Sequence, residues 1–205
     1  MVLIIIMSTI YAENLEVGDI VFIEVPFLVF QEISKASLCW SNHVGVVVGH
    51  NGEDYILAES TIPLSRNTTL KSFIRRSRRG RYEVKRFCDG LTDNQKLTLV
   101  GGVFEKLNIP YHTGFKLHSK RQFCSKFVYE LYRDRLSIEL GKIEKFSDLL
   151  NTNPEASLGV WHLWFFGRIP WQRETVTPAS LYFCPKLNSV AFSGLGKNVR
   201  EGMVA

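Results

Sequence analysis

Arg121-Gln122-Phe123-Cys124-Ser125-Lys126-Phe127-Val128-Tyr129-Glu130-Leu131-Tyr132 is the stretch that decides how this chain folds. Phe127, Val128, Leu131 and Tyr132 recur at three-to-four spacing, which predicts a helix with one apolar face. Cys124 falls in its first turn. Backbone N–H groups there lack intrahelical partners, and the helix dipole favours negative charge. A thiol so placed has a lowered pKa and finds donors for an oxyanion close by. A lone cysteine is more often a buried structural residue. The rest of the chain must therefore supply a base, and a group to orient it, before Cys124 reads as a nucleophile.

Upstream lies the clearest hairpin. Ser41–Gly49 reads as a strand, leads through His50-Asn51-Gly52, and returns as Glu53–Ser60. Two polar residues break its apolar pattern, His43 and Glu59. Register decides whether they meet. A two-residue Asn51-Gly52 turn sets His50 against Glu53 and points Glu59 away from His43. A three-residue loop, with Gly52 left-handed, sets Gly49 against Glu53 and His43 directly opposite Glu59. The three-residue loop, or an equivalent bulge, is the expectation if the two side chains work together.

Elsewhere Gly18-Asp19 marks a turn before the strand Ile20–Ile23, and Pro26–Ser37 reads as a short helix or an apolar loop. Pro63–Thr69 reads as an irregular loop, Thr69–Ser77 as a short basic helix, and Arg81–Phe87 as a strand. Thr92-Asp93-Asn94-Gln95 is a capping box opening a helix to about Leu107. Phe146–Leu150 is a short helix, and Thr177-Pro178 starts another. The segment Trp161–Trp171 is dense in aromatics, and either covers the site or fills the core.

The 205 residues, 45% hydrophobic, suit a single domain spanning 1–205, with residues 1–14 a loose N-terminus and 186–205 a flexible tail. Cys39, Cys88, Cys124 and Cys184 are scattered, with no CxxC pair and no zinc-ligand spacing, so no metal and no cofactor are expected. The short apolar start, Met1–Met7, lacks a basic lead, so it does not read as a signal peptide, and Met7 is an alternative start. No run reaches membrane-spanning length. A cytoplasmic bacterial location is the expectation, with export as an effector without a signal peptide as the alternative.

Charge is uneven: −6 over residues 1–68, +10 over 69–135 and +1 beyond. The densest basic run is Lys71 to Arg86. Nothing in it resembles a nucleic-acid motif, so nucleic acid is not an expected partner, and a solvated face is the preferred reading.

His43-Val-Gly-Val-Val, Ala-Glu59-Ser and Phe-Cys124-Ser-Lys-Phe-Val together resemble the permuted papain-like (NlpC/P60-type) cysteine peptidases and amidases, and within them look closest to the YebB-like group. The resemblance runs from Gly18-Asp19-Ile20-Val21 to Thr177-Pro178-Ala179-Ser180 and includes Cys39-Trp40-Ser41-Asn42-His43. The order His43, Glu59, Cys124 is the permuted order. It implies an α+β fold, an antiparallel, barrel-like sheet packed against the Cys124 helix. It implies Cys124 as nucleophile, His43 as base and acid, and Glu59 as the group orienting His43. Gln122 is a candidate oxyanion donor. Tyr111, His112 and Trp40 are candidates for lining the substrate pocket, with a place in the core as the alternative. Cys39 reads as structural.

The resulting expectation is a cysteine hydrolase cleaving an amide, in a peptide or an acyl–amino acid, through a thioester. Ester hydrolysis or lipid acyl transfer would use the same three residues, and a delivered cell-wall-degrading effector is a variant. A binding module using the basic 71–86 face, through Arg75, Arg76, Arg78 and Arg79, is the non-catalytic alternative. Substrate and oligomeric state stay open.

Overall fold

Six strands, mostly β-branched and apolar, pair entirely antiparallel into one sheet: β1 (Ile20–Ile23), β2 (His43–His50), β3 (Tyr55–Glu59), β4 (Arg66–Thr69), β5 (Tyr82–Phe87) and β8 (Leu187–Phe192), in the order β4-β3-β2-β1-β5-β8. A minor pair, β6 (Glu144–Lys145) with β7 (Glu174–Thr175), lies apart from it. The structure is a computed structural model and describes residues 14–153 and 156–193. The alternative start at Met7, the short apolar N-terminal run and the tail beyond 193 fall outside those residues.

Helices close both faces of the sheet. The helix α4 (Cys124–Leu136) lays Phe127, Val128, Leu131 and Tyr132 on Ile20, Phe22, Val44, Val46 and Ala58. Each fully buried apolar side chain there contributes about 2 kcal/mol. The helix α3 (Asp93–Lys106), opened by the expected Thr92–Gln95 capping box, packs beside α4. On the other face the short helix α2 (Leu70–Arg75), capped by Thr69, places Leu70, Phe73 and Ile74 against Val21, Ile23, Val47 and Leu57. The helices α1 (Leu28–Ala36), α5 (Phe146–Thr152), α6 (Leu158–Trp164) and α7 (Pro178–Tyr182) enclose the ground in front of the α4 N-terminus.

The hairpin reaches the expected face by the bulge rather than by a three-residue loop. His50 pairs with Tyr55 across a four-residue loop, Asn51 to Asp54, and Gly49 pairs with Ile56. Continued unbroken, that register would set Glu59 opposite Val46 and turn it away from His43. A skip at Val48 brings Val47 against Leu57 and Val46 against Ala58. Glu59 then falls opposite Gly45, two residues from His43 and on the same face. The bulge re-aims the carboxylate.

Two expectations are corrected at the sheet edges. Residues 66–69, read as loop, form β4 on β3. Residues 187–192, read as tail, form β8 on β5. β4 is polar and β8, though four of its six residues are apolar, is mostly exposed; neither has a period-two pattern, because an edge strand needs ladder bonds more than a buried face. Among the described residues no helix is long and apolar enough to cross a membrane.

Candidate active site

Three elements end at one place. Cys124 begins α4, His43 begins β2 and Glu59 ends β3. Strand β2 starts where it does because Asn42 clamps the chain ahead of it, accepting from Val25 N–H at 2.8 Å and donating to Val25 C=O at 3.1 Å. Ser41 adds a bond to Ile23 C=O at 3.0 Å. His43 is thereby fixed at the rim of the sheet. Its ring is stacked on Phe73 of α2, with centroids 5.4 Å apart, and faces Phe30 of α1 at 6.5 Å.

Nε2 of His43 lies 2.7 Å from Oε2 of Glu59, and both residues are buried. The carboxylate accepts, so Nε2 carries the hydrogen and Nδ1 is left with the lone pair. Nδ1 has no partner at ordinary hydrogen-bond length. The Cys124 thiol interacts with the ring through charge and hydrogen bonding, while the sulfur itself contacts the Asn42 carbonyl at 3.9 Å.

Burial alone would lower the imidazole pKa. The negative charge that Cys124 can carry, together with Glu59, overcomes this and pushes His43 up to about 9. Burial likewise opposes ionisation of Cys124, yet the His43 charge and backbone N–H groups of Val44 and Ser125 hold the thiol below its ordinary range. Burial would raise Glu59 too, but His43 and the Arg76 guanidinium bring it down to about 2. Each shift is toward the charged form of its group.

Glu59 is held by more than His43. Arg76 donates to Oε2 at 2.7 Å and Arg66 to Oε1 at 3.3 Å. The basic run read as a solvated face is in fact largely engaged. Besides Arg76, Arg78 pairs with Glu24, Arg81 lies over the Trp40 ring, Lys85 donates to the Tyr182 carbonyl, and Arg86 binds Asp19 and Glu16. The carboxylates that anchor it lie far off in sequence, which is why a local reading of charge takes it for open surface.

In front of the thiol lies a narrow, mainly apolar pocket, with Phe115, Phe123, Phe146, Leu150, Trp161 and Val176 among its walls. The buried Tyr111 hydroxyl has no hydrogen-bond partner of ordinary length. Burial raises its pKa well above normal, and the nearby Cys124 raises it further. Tyr111 is among the residues that line the pocket. Trp40 and His112 do not: Trp40 packs edge-on to Tyr182, and His112 Nδ1 accepts from Gly114 N–H at 3.0 Å. Gln122 is also absent from the lining. Its backbone braces the Tyr111 loop, through Gln122 N–H to Pro110 C=O at 3.0 Å and His112 N–H to Gln122 C=O at 2.6 Å. Trp161, in the aromatic segment of uncertain role, both lines the pocket and packs in the core. Cys39 is buried and its thiol is pushed up to about 11, as suits a structural residue.

Sequence reasoning missed Asn42, Phe73, Arg76 and Phe146. Asn42 alone had a signal, its place beside His43 in the motif.

A family model described as "Permuted papain-like amidase enzyme, YaeF/YiiX, C92 family" matches residues 14–191. The uncharacterized protein YiiX of Escherichia coli K12 is 27% identical over 182 residues, covering 88% of each chain. A crystal structure of yiiX from Escherichia coli O157:H7, described as a metalloprotein, superposes with a TM-score of 0.80 at 26% identity, covering 86% of this chain and 96% of that one.

Proposed function

This chain belongs to the permuted papain-like amidase family YaeF/YiiX, C92, and on that premise we propose that it is a cysteine hydrolase acting on an amide whose acyl part is apolar. The observation that supports this most is the buried line from Cys124 through His43 to Glu59 at the head of an apolar pocket. The finer likeness to the YebB-like group rests on motifs alone.

In this reading the imidazole takes the Cys124 proton on Nδ1 before substrate arrives, since the pair rests as thiolate and imidazolium. The thiolate attacks the amide carbonyl carbon, and the C=O electron pair moves onto oxygen. The Tyr111 hydroxyl and the N–H groups at the head of α4 are the donors available to that oxyanion. Collapse expels the amine, which takes the Nδ1 proton. A water, deprotonated by His43, then attacks the thioester carbonyl, and the acid leaves as Cys124 regains the thiolate. Glu59 holds the ring in the one tautomer that allows this.

The pocket walls favour an acyl–amino acid over a peptide, because an apolar wall binds a hydrocarbon chain and leaves a peptide's polar groups unpaired. The same walls suit ester hydrolysis or acyl transfer, which differ only in leaving group or acceptor. A cytoplasmic location, or delivery to another cell, is a proposal apart from the chemistry.

A metal does not fit at these three residues. Both oxygens of Glu59 are taken, and two guanidinium groups beside it repel a cation. Among the described residues no cluster of three or more His, Cys, Asp or Glu could hold an ion. The mechanism has no step through one.

The test is intact-mass analysis after exposure to a p-nitrophenyl acyl ester. An acyl adduct on Cys124, absent in His43→Ala and lost with time as water attacks, is expected. Adducts spread evenly over Cys39, Cys88, Cys124 and Cys184 would sink the reading.

A further inference from the structure

Arg76 caps the C-terminus of α2, which also carries Phe73 three residues earlier on the same helix face. These two side chains reach the two halves of the histidine–carboxylate pair. Phe73 stacks on the His43 ring, and Arg76 donates to Glu59 at 2.7 Å while its guanidinium lies 5.0 Å from the Phe73 ring centre. The Glu59 oxygen that receives Arg76 is the one facing His43 Nε2. Arg66 reaches only the other oxygen, at 3.3 Å, from a more exposed side chain.

We infer that Arg76 is a positioning residue: it keeps the buried Glu59 carboxylate ionised and fixed on His43, and so sets how far into acid the Cys124 thiolate persists. This rests on the thiolate–imidazolium reading above. The physical need is plain. A carboxylate with no water around it tends to take up a proton, and a neutral Glu59 would no longer support an imidazolium. His43 supplies a countercharge only below its raised pKa of about 9, and its own charge is shared with Cys124. Arg76 is charged at every pH of interest. The other charged or titratable groups that face this set are Arg66 from β4, Cys124 from α4, and Tyr111 from the loop before it.

The experiment measures the rate of Cys124 alkylation by iodoacetamide from pH 5 to 9, with the site read by mass spectrometry. It compares wild type, Arg76→Met, Arg76→Lys, Glu59→Gln and the Arg76→Met/Glu59→Gln double variant, and folding is followed by circular dichroism. The expected result is that Arg76→Met moves the acid limb upward and lowers the rate near pH 6 by at least tenfold, with the rate near pH 9 nearly unchanged. Arg76→Lys restores most of it. The double variant is no slower than Glu59→Gln, because Arg76 acts through that carboxylate. If Arg76→Met does not fold, Arg76→Gln, which keeps a donor but no charge, carries the same expectation. A profile that superimposes on wild type, or losses that multiply in the double variant, overturns the role of Arg76 and leaves the hydrolase reading standing. A wild-type Cys124 that is unreactive below pH 8, unchanged by His43→Ala, overturns both.

Discussion

His43 and Glu59 meet at 2.7 Å with almost no surface exposed on either. A pair so enclosed ties fold stability to pH at both ends. Glu59 is depressed to about 2 from an ordinary 4.5, so its contribution is present above the ordinary value and is lost as pH falls toward 2. His43 is raised to about 9 from 6.5, so its contribution is present below 6.5 and is lost as pH rises through 9. Thermal melts should show it. Glu59→Gln should cost about 3–5 kcal/mol near pH 7, since Arg76 and His43 lose their anion, and its deficit against wild type should narrow toward pH 3. His43→Ala should narrow its own deficit toward pH 10. Deficits constant across pH would mean that neither group is charged in the fold.

The Tyr111 hydroxyl stands beside the sulfur with no hydrogen bond of its own. Removing it should therefore cost little in folding and much in turnover. Tyr111→Phe is expected to lower kcat about 10²-fold, the scale of losing one oxyanion donor, while iodoacetamide still labels Cys124 at the wild-type rate. Equal loss of both would assign Tyr111 to the thiolate rather than to the oxyanion. Unchanged turnover would remove it from the chemistry.

The site could be read from the sequence where local pattern and chemistry coincide. Cys124 at a helix start, and His43 and Glu59 as polar breaks in an apolar hairpin, stand out because each offends its surroundings. What brings Glu59 to the right face does not stand out: the skip at Val48 sits in a run of valines and glycine where no residue type marks it. Arg76 was hidden for another reason. It lies in a run of arginines, and only the fold singles out the one that reaches a buried carboxylate. The edge strands β4 and β8 were illegible because ladder bonds, not apolar faces, hold them.

Gly45 is where the sheet admits α2. A Cβ there would meet the Phe73 ring at 3.0 Å and the Ala58 carbonyl at 3.2 Å, so one of the two must give by a few tenths of an ångström. Gly45→Ala should push Phe73 off the His43 ring it stacks on. The expected cost is about 1–3 kcal/mol, the usual scale of overpacking, with slower Cys124 alkylation near pH 6 although no reacting group has changed. Chemical denaturation and the alkylation profile check the two effects together. Lost stability with an unaltered profile would show that Phe73 packs the core without orienting the imidazole.

Trp161 forms a pocket wall, edge-on to Phe146 at 5.7 Å and stacked with Phe165 at 6.0 Å. Cutting it to alanine would leave a cavity costing about 3–5 kcal/mol, so the informative change is Trp161→Phe, which keeps an aromatic wall and gives up the outer ring. If an acyl chain lies along this wall, the extra depth should accept longer chains. One added methylene in an apolar site is worth about 1 kcal/mol or somewhat more. The ratio of kcat/KM for a substrate two carbons longer than the wild-type optimum should then rise by about tenfold or more, with Cys124 alkylation near pH 7 unaltered. Comparison of a series of N-acyl amides differing only in chain length measures this. A uniform fall across the series would make Trp161 a structural residue, and would remove the acyl chain from the pocket it is proposed to occupy.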